Sequence, residues 1–239
     1  MTEELFREDA SLTECEARVV ALAEGGVILD RTVFYPLGGG QAGDTGTLLG
    51  PGGRVLAVID TRKSKQSPGA VVHVVAADAD LAAFAPGTAL IARLDIARRH
   101  AHMRFHTTTH LLCALVPHPV DGCSITRDYA RLDFHMTEPL DKEALTAGIA
   151  RLVAEAHPVR HRWISEDELD ANPGLVRSMS VQPPRGLGRI RVLEIEGVDL
   201  QPCGGTHVAN TREIGVVVVT KIEKKSAMTR RVVLGFAAP

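Results

Sequence analysis

No apolar run in this sequence comes near the ~20 residues that a membrane-spanning helix needs. Nor does it open like a secretion leader: Met1-Thr2-Glu3-Glu4-Leu5-Phe6-Arg7-Glu8-Asp9 is acidic where a leader would be basic and then apolar. A cytoplasmic protein without a membrane partner is therefore expected. Cysteine is scarce as well. Cys15, Cys113, Cys123 and Cys203 show no close spacing and no repeat, which argues against a disulfide framework. Cys15 and Cys113 read as small buried hydrophobes, and only Cys203 has a histidine, His207, at ligand spacing. Net charge is close to absent, −2 from 27 Lys+Arg against 29 Asp+Glu, so the chain does not coat nucleic acid by bulk electrostatics. Any such contact has to use local clusters, Arg98-Arg99 with Arg104 or Lys224-Lys225 with Arg230-Arg231. Taken alone, each cluster is equally well read as a solvated charged face.

What is present is an ordinary core-forming composition. With 239 residues and 45% hydrophobic content, the chain can build two modest domains or one large one. Up to about residue 90 it reads as β: Val27-Ile28-Leu29, Arg54 to Ile59 and Val71 to Val75 are short and rich in branched residues. Glycine and proline punctuate them, which predicts a small antiparallel barrel over 1–90. Within it, Phe34-Tyr35-Pro36-Leu37-Gly38-Gly39-Gly40-Gln41 leads into Ala42-Gly43-Asp44. Gly38, Gly40 and Gly43 match the dinucleotide spacing, but no helix-forming stretch follows, so it is not a cofactor fingerprint. Adjacent glycines do let backbone approach a ligand closely.

Pro86-Gly87 marks a hinge into a second domain, 91–239. Asp95 predicts an N-cap for a helix running to about Val116, where Pro117 and Pro119 stop it. That helix contains His102, His106 and His110, each four residues after the last, so neighbouring imidazoles stack on one face. Two such imidazoles can grip one borderline cation, usually zinc, and Cys203-Gly204-Gly205-Thr206-His207 offers a thiolate and a further imidazole at the same spacing. Periodicity alone leaves open whether the helical pair is 102/106 or 106/110. Beyond the helix, Ala130 to His135 alternates as a strand, and Asp141 caps an amphipathic helix buried through Leu145, Ile149, Leu152, Val153 and Ala156. Ser165 to Glu168 is a capping box for a short helix ending before Pro173. Strands over Arg189 to Val198, Ile214 to Ile222 and Val232 to Phe236 complete a sheet, making this half α+β. His135, His157 and His161 have no partner at ligand spacing and read as ordinary polar residues.

The segments His106-Thr-Thr-Thr-His110-Leu-Leu, Arg131-Leu-Asp-Phe, Cys203-Gly-Gly-Thr-His207-Val and Asn210-Thr-Arg-Glu-Ile-Gly215 resemble the editing domain of alanyl-tRNA synthetase. The glycine stretch ending in Gln41 resembles the segment preceding that domain. Together, in a free-standing chain of this length, they resemble the medium-length AlaX family of trans-editing proteins. The resemblance covers nearly the whole chain and is most specific at the histidine and Cys-Gly-Gly-Thr-His motifs. Thr108, where the family often has alanine, and Ala227-Met228-Thr229, in place of a glycine-containing turn, depart from it without touching a ligand position. It implies a zinc-binding editing domain in which His106, His110, Cys203 and His207 hold one Zn2+, and so favours 106/110 over 102/106. It also implies hydrolysis of the ester joining a wrong amino acid, chiefly serine and alternatively glycine, to alanine-accepting tRNA.

That chemistry is intelligible from first principles. A pocket built for alanine rejects serine poorly, because an added hydroxyl costs an apolar site little, whereas a second site that hydrogen-bonds the hydroxyl can sort the two. Thr126 and then Ser124 are the expected partners of that hydroxyl, with Gly38, Gly39, Gly40 and Gln41 expected near the bound amino acid or the tRNA end. Zinc can polarise the ester, anchor the α-amino group or lower the pKa of a bound water. Two other readings compete: a tRNA-binding module whose zinc is purely structural, and a zinc hydrolase of small acyl esters.

Overall fold

The computed structural model describes residues 1–179, 183, 185–186 and 188–237. It contains two compact units, Met1–Gly38 with Ala42–His100, and Gly39–Gln41 with Ala101–Pro239. Among the described residues, no helix is long and apolar enough to cross a membrane.

The first unit is built on seven strands: β1 Glu14–Ala23, β2 Gly26–Leu29, β3 Gly46–Leu49, β4 Val55–Val58, β5 Asp60–Lys63, β6 Val71–Val74 and β7 Ala89–Leu94. They pair antiparallel in the order β4-β3-β7-β1-β2-β6-β5. The expected barrel is not there, because the end strands β4 and β5 do not pair and the sheet stays open. Only Ile59 separates these two strands, and an antiparallel reversal needs a loop of at least about two residues. The chain therefore leaves one edge and joins the other without turning back on itself.

Alternation along the strands puts Val19, Val27, Leu29, Leu48, Leu56, Val58, Leu90 and Ala92 into one core with Phe34 and Phe84. Beside it lies a buried charge pair. Arg99, with its side chain fully buried, binds the Asp44 carboxylate through Nε at 3.0 Å and through Nη2. Its other donors go to the carbonyls of Val33 (2.6 Å) and Ala10 (2.9 Å). Deleting one partner of such a pair costs roughly 3–5 kcal/mol, because the other charge stays buried.

The second unit begins within α1, Ile96–Leu115, a 20-residue helix. Asp95 caps it by accepting the Arg98 N–H at 3.1 Å. From Ala101 to Cys113 nearly every residue is buried, so the helix has no solvent face there. The hydroxyls of Thr107, Thr108 and Thr109 survive this burial by donating to carbonyls one turn back, on Met103, Arg104 and His106. Strands β8 Val120–Ile125 and β9 Tyr129–His135 follow, then α2 Lys142–Ala154, β10 Val159–Ser165 and α3 Glu166–Ala171. Asp141 and Ser165 cap α2 and α3 through the N–H groups of Ala144 and Glu168. Strands β11 Arg189–Ile195, β12 Asp199–Pro202, β13 Val217–Ser226 and β14 Thr229–Phe236 complete the unit.

The pairing yields two antiparallel sheets, β8-β9-β14-β13 and β10-β11-β12. Leu145, Ile149 and Leu152 of α2 are buried, as are Leu132, Phe134, Val219, Val232 and Leu234 on the inner face of the four-stranded sheet. The class is mixed α+β, as the element pattern predicted for this half.

Candidate metal centre

His106 and His110 lie one turn apart on α1, with ring centroids 5.7 Å apart. The loop after β12 brings Cys203 and His207 against them. One ligand atom from each of the four residues falls within 4.8 Å of all the others. Cys203 Sγ is 3.5 Å from His106 Nε2 and 3.3 Å from His207 Nε2. Those are tetrahedron edges: bonds of 2.0–2.3 Å to a zinc-sized ion place its ligand atoms roughly 3.3–3.6 Å apart.

What aims the rings is the hydrogen bonding on their far sides. His106 Nδ1 lies 2.8 Å from Gln41 Oε1, an amide oxygen that can only accept, so Nδ1 carries the proton and Nε2 is free. Gln41 is fully buried, and it also accepts the Thr206 N–H (3.2 Å) and donates to Thr206 Oγ1 (2.9 Å). His110 Nδ1 is 2.7 Å from the buried carboxylate of Asp199, which Gln201 Nε2 holds from behind at 2.9 Å. His207 Nδ1 is 3.3 Å from Thr107 Oγ1, whose own proton goes to Met103. Each imidazole thus has its Nδ1 occupied and its Nε2 turned to the thiol, the arrangement that fixes tautomer and orientation in metal sites.

Electrostatics supports the same donor set. Burial pushes the Cys203 thiol up, but the imidazoles of His106 and His207 outweigh it and hold the thiol well below the ordinary cysteine range. Burial pushes His110 down, and the Asp199 carboxylate and the Cys203 sulfur reverse this and lift it to about 10. Burial, reinforced by His106, drives His207 down to about 3. By contrast, burial raises Cys113 and Cys123 to about 12, leaving both as neutral thiols. A thiolate with three imidazoles, all deprotonated when bound, is a ligand set for a borderline divalent ion.

Space at the loop is tight. A Cβ on Gly205 would lie 2.1 Å from His106 Cε1 and 3.1 Å from Gln41 Oε1, so only glycine passes between the ring and the amide. Arg191 of β11 pins the loop through Nη1, donating to the carbonyls of Cys203 (2.9 Å) and Gly205 (3.2 Å).

Residues 190–233 match the family described as threonyl and alanyl tRNA synthetase second additional domain, and residues 6–98 match class II (A) tRNA synthetases. The chain is 31% identical to the alanyl-tRNA editing protein AlaX-M of Saccharolobus solfataricus, covering 97% of this chain and 98% of that protein. It is 33% identical to AlaX-M of Methanosarcina barkeri, with 97% of each chain covered. It belongs to the AlaX-M family. The chain is also 34% identical to the alanine–tRNA ligase of Pyrococcus furiosus, spanning a quarter of that enzyme, 25%.

Within this AlaX-M chain, the structure brings His106, His110, Cys203 and His207 together, with Gln41 against them. His102 is fully buried but is not one of the converging residues. Gln41, expected beside substrate, is occupied with His106 and Thr206. Gly39 and Gly40 have φ of 58° and 85°. The Gly40 carbonyl accepts the Ile125 N–H at 2.7 Å, and a Cβ there would meet the Cys123 sulfur at 2.9 Å. The close approach these glycines permit is thus made to the end of β8. Gly38 lies in the first unit, where its carbonyl accepts the Tyr35 hydroxyl at 2.9 Å. Thr126 Oγ1 donates to the Tyr129 carbonyl and accepts the N–H groups of Asp128 and Tyr129, closing the β8–β9 turn. Ser124 pairs with Arg131 on the sheet face opposite to Cys123.

Most cations of the two basic clusters are already engaged, while Lys224 is exposed. Arg99 is consumed by Asp44, and Arg104 lies 4.1 Å over the Phe236 ring while donating to the Ile214 carbonyl. Arg230 is buried around a turn, and Arg231 forms a two-pronged pair with Asp133. Sequence reasoning missed Asp199 and Thr107. For Asp199 a signal existed: Asp199, Gln201 and Cys203 alternate, so a strand there puts all three on one face.

Proposed function

We propose that this chain is a trans-editing aminoacyl-tRNA deacylase that hydrolyses serine from mischarged alanine-accepting tRNA. The observation that carries the reading is the convergence of three Nε2 atoms on a low-pKa cysteine, in a chain related over its full length to alanyl-tRNA editing proteins. His106, His110, Cys203 and His207 would hold one Zn2+. A bound zinc supplies positive charge for the ester carbonyl or the α-amino group. Residues of the chain do the rest. Gln41, Asp199 and Thr107 hold the imidazoles in one tautomer, and Gly205 with Arg191 fixes the loop carrying the thiolate. Burial of all three histidines excludes bulk water, so orientation and fixed donors act in a low-dielectric setting.

A closed four-ligand set is also the hallmark of structural zinc, which favours a second reading, a tRNA-binding module without catalysis. One experiment separates them. Serine- and alanine-charged alanine tRNA are incubated with the unaltered protein, with the Cys203→Ala variant and with protein stripped of metal by a chelator, while circular dichroism reports the fold. Rapid release of serine alone, lost on substitution and on chelation with the fold largely kept, supports the deacylase. Release of neither amino acid by metal-loaded protein, with unfolding on chelation, supports the binding module. Turnover of a small acyl ester without the steep salt dependence of tRNA binding would point to a simple esterase.

A further inference from the structure

The sheet β10-β11-β12 carries the metal centre at one end of a row. Trp163 of β10 lies directly opposite Arg191 of β11. The Arg191 carbonyl in turn accepts the N–H of Cys203 at 3.1 Å, one residue past the end of β12. Trp163, Arg191 and Cys203 therefore stand side by side across three strands, on the face that also carries Asp199 and Gln201. Two strand spacings put Trp163 roughly 10 Å from Cys203. Arg191 holds that separation, since it is buried and bonded to the carbonyls of Cys203 and Gly205.

Trp163 is the chain's single tryptophan. It is half-buried, and the exposed Arg189 places its guanidinium carbon 4.4 Å over the ring. Indole and guanidinium planes are the surfaces on which proteins stack unpaired bases, and the cation adds attraction to both the base and its phosphate. A separation of about 10 Å leaves room for one ribose between an ester held at the metal centre and a base at Trp163.

We propose that Trp163 and Arg189 form a stacking platform for the terminal adenine of the charged RNA, next to the metal centre; this rests on the deacylase reading above. The platform acts on binding and positioning and touches no reacting atom. It orients the ester through the base, which gives the site a grip on every charged RNA regardless of the amino acid it carries.

The single tryptophan makes this measurable without turnover. The probe is an acceptor-stem hairpin ending in CCA, with serine attached through a non-hydrolysable amide and a fluorescent label on its 5′ end. Label anisotropy reports binding and tryptophan emission reports contact. Saturating probe is expected to quench the tryptophan, and the same hairpin with the same seryl amide on a terminal ribose that carries no base is expected to bind about 10-fold more weakly without quenching. Trp163→Ala and Arg189→Ala should each raise KM for serine-charged tRNA by about 5- to 10-fold, with kcat changed less than about two-fold. Trp163→Phe should restore KM to within about three-fold, which a merely structural role for the ring would not require. Arg189 is exposed, so Arg189→Ala tests the platform even if Trp163→Ala does not fold. Full binding with unchanged tryptophan emission, or an unchanged KM in Arg189→Ala, overturns the platform while leaving the deacylase intact. If the unaltered protein neither binds nor hydrolyses charged RNA, both readings fall together.

Discussion

Gln41 Oε1 lies 2.8 Å from His106 Nδ1, and this contact joins residues 65 positions apart in the chain. Through it, a glutamine in a glycine-rich loop decides which nitrogen of a helical histidine faces the Cys203 sulfur. Removing a hydrogen-bond partner of a liganding histidine typically costs 10- to 100-fold in metal affinity. Gln41→Ala is therefore expected to weaken zinc binding by about that factor, as measured by competition with a chromogenic chelator. Gln41→Glu, which keeps the acceptor, should recover part of it. Equal affinity in the alanine variant and the unaltered protein would remove Gln41 from the site.

Gly205→Ala should act more severely. Its Cβ would lie 2.1 Å from His106 Cε1, closer than any real contact, so the ring or the loop must move. The expected result is loss of stoichiometric zinc with a near-native circular dichroism spectrum, because the clash is confined to the loop. Normal zinc content by elemental analysis would contradict this.

Thr126 is saturated within its turn: its single proton goes to Tyr129 and its lone pairs take two backbone N–H groups. Thr126→Val is thus expected to cost about 1 kcal/mol of stability in urea unfolding and to leave serine-over-alanine discrimination in place. A collapse of discrimination would instead assign the hydroxyl to the substrate.

His73 supplies a pH dependence in the first unit. Fully buried between Thr32 Oγ1 (2.7 Å) and the Val27 carbonyl (3.1 Å), it is pushed by desolvation down to about 4. The unfolded chain takes up its proton near the ordinary value of 6.5, whereas the folded chain resists until about 4. Stability is full above 6.5 and falls through that window, by about 3 kcal/mol for this group alone. Unfolding at pH 7 and pH 4.5 should show a smaller loss for His73→Gln than for the unaltered protein. Equal losses would show that His73 does not carry the effect.

Much of this was legible in the sequence because it depends on local geometry. The caps Asp95, Asp141 and Ser165 announce themselves by residue type beside a periodic run, the strands around Val27 and Val72 by their branched residues, and the strand around Leu132 by alternation. The spacing of His106 to His110, and of Cys203 to His207, states that each pair can share a ligand, since a four-residue step closes one helical turn or a tight loop. The residue types then narrow the ion to the zinc class.

The rest required the chain to be folded. His102 and His110 are equivalent by spacing around His106; the family resemblance favours His110, and the fold gives the physical reason, because the loop carrying Cys203 meets His106 and His110. The barrel expected for the first unit follows from strand count and composition. Whether a sheet closes depends on how its last strands are connected, and a one-residue link at Ile59 leaves no room for them to pair. The partners that orient the imidazoles come from 65, 89 and 100 residues away. A buried ring nitrogen accepts whichever donor or acceptor the packed tertiary structure delivers, so no local pattern in the sequence could name Gln41 and Thr107 for that task, and strand alternation could place Asp199 only on the face of Cys203.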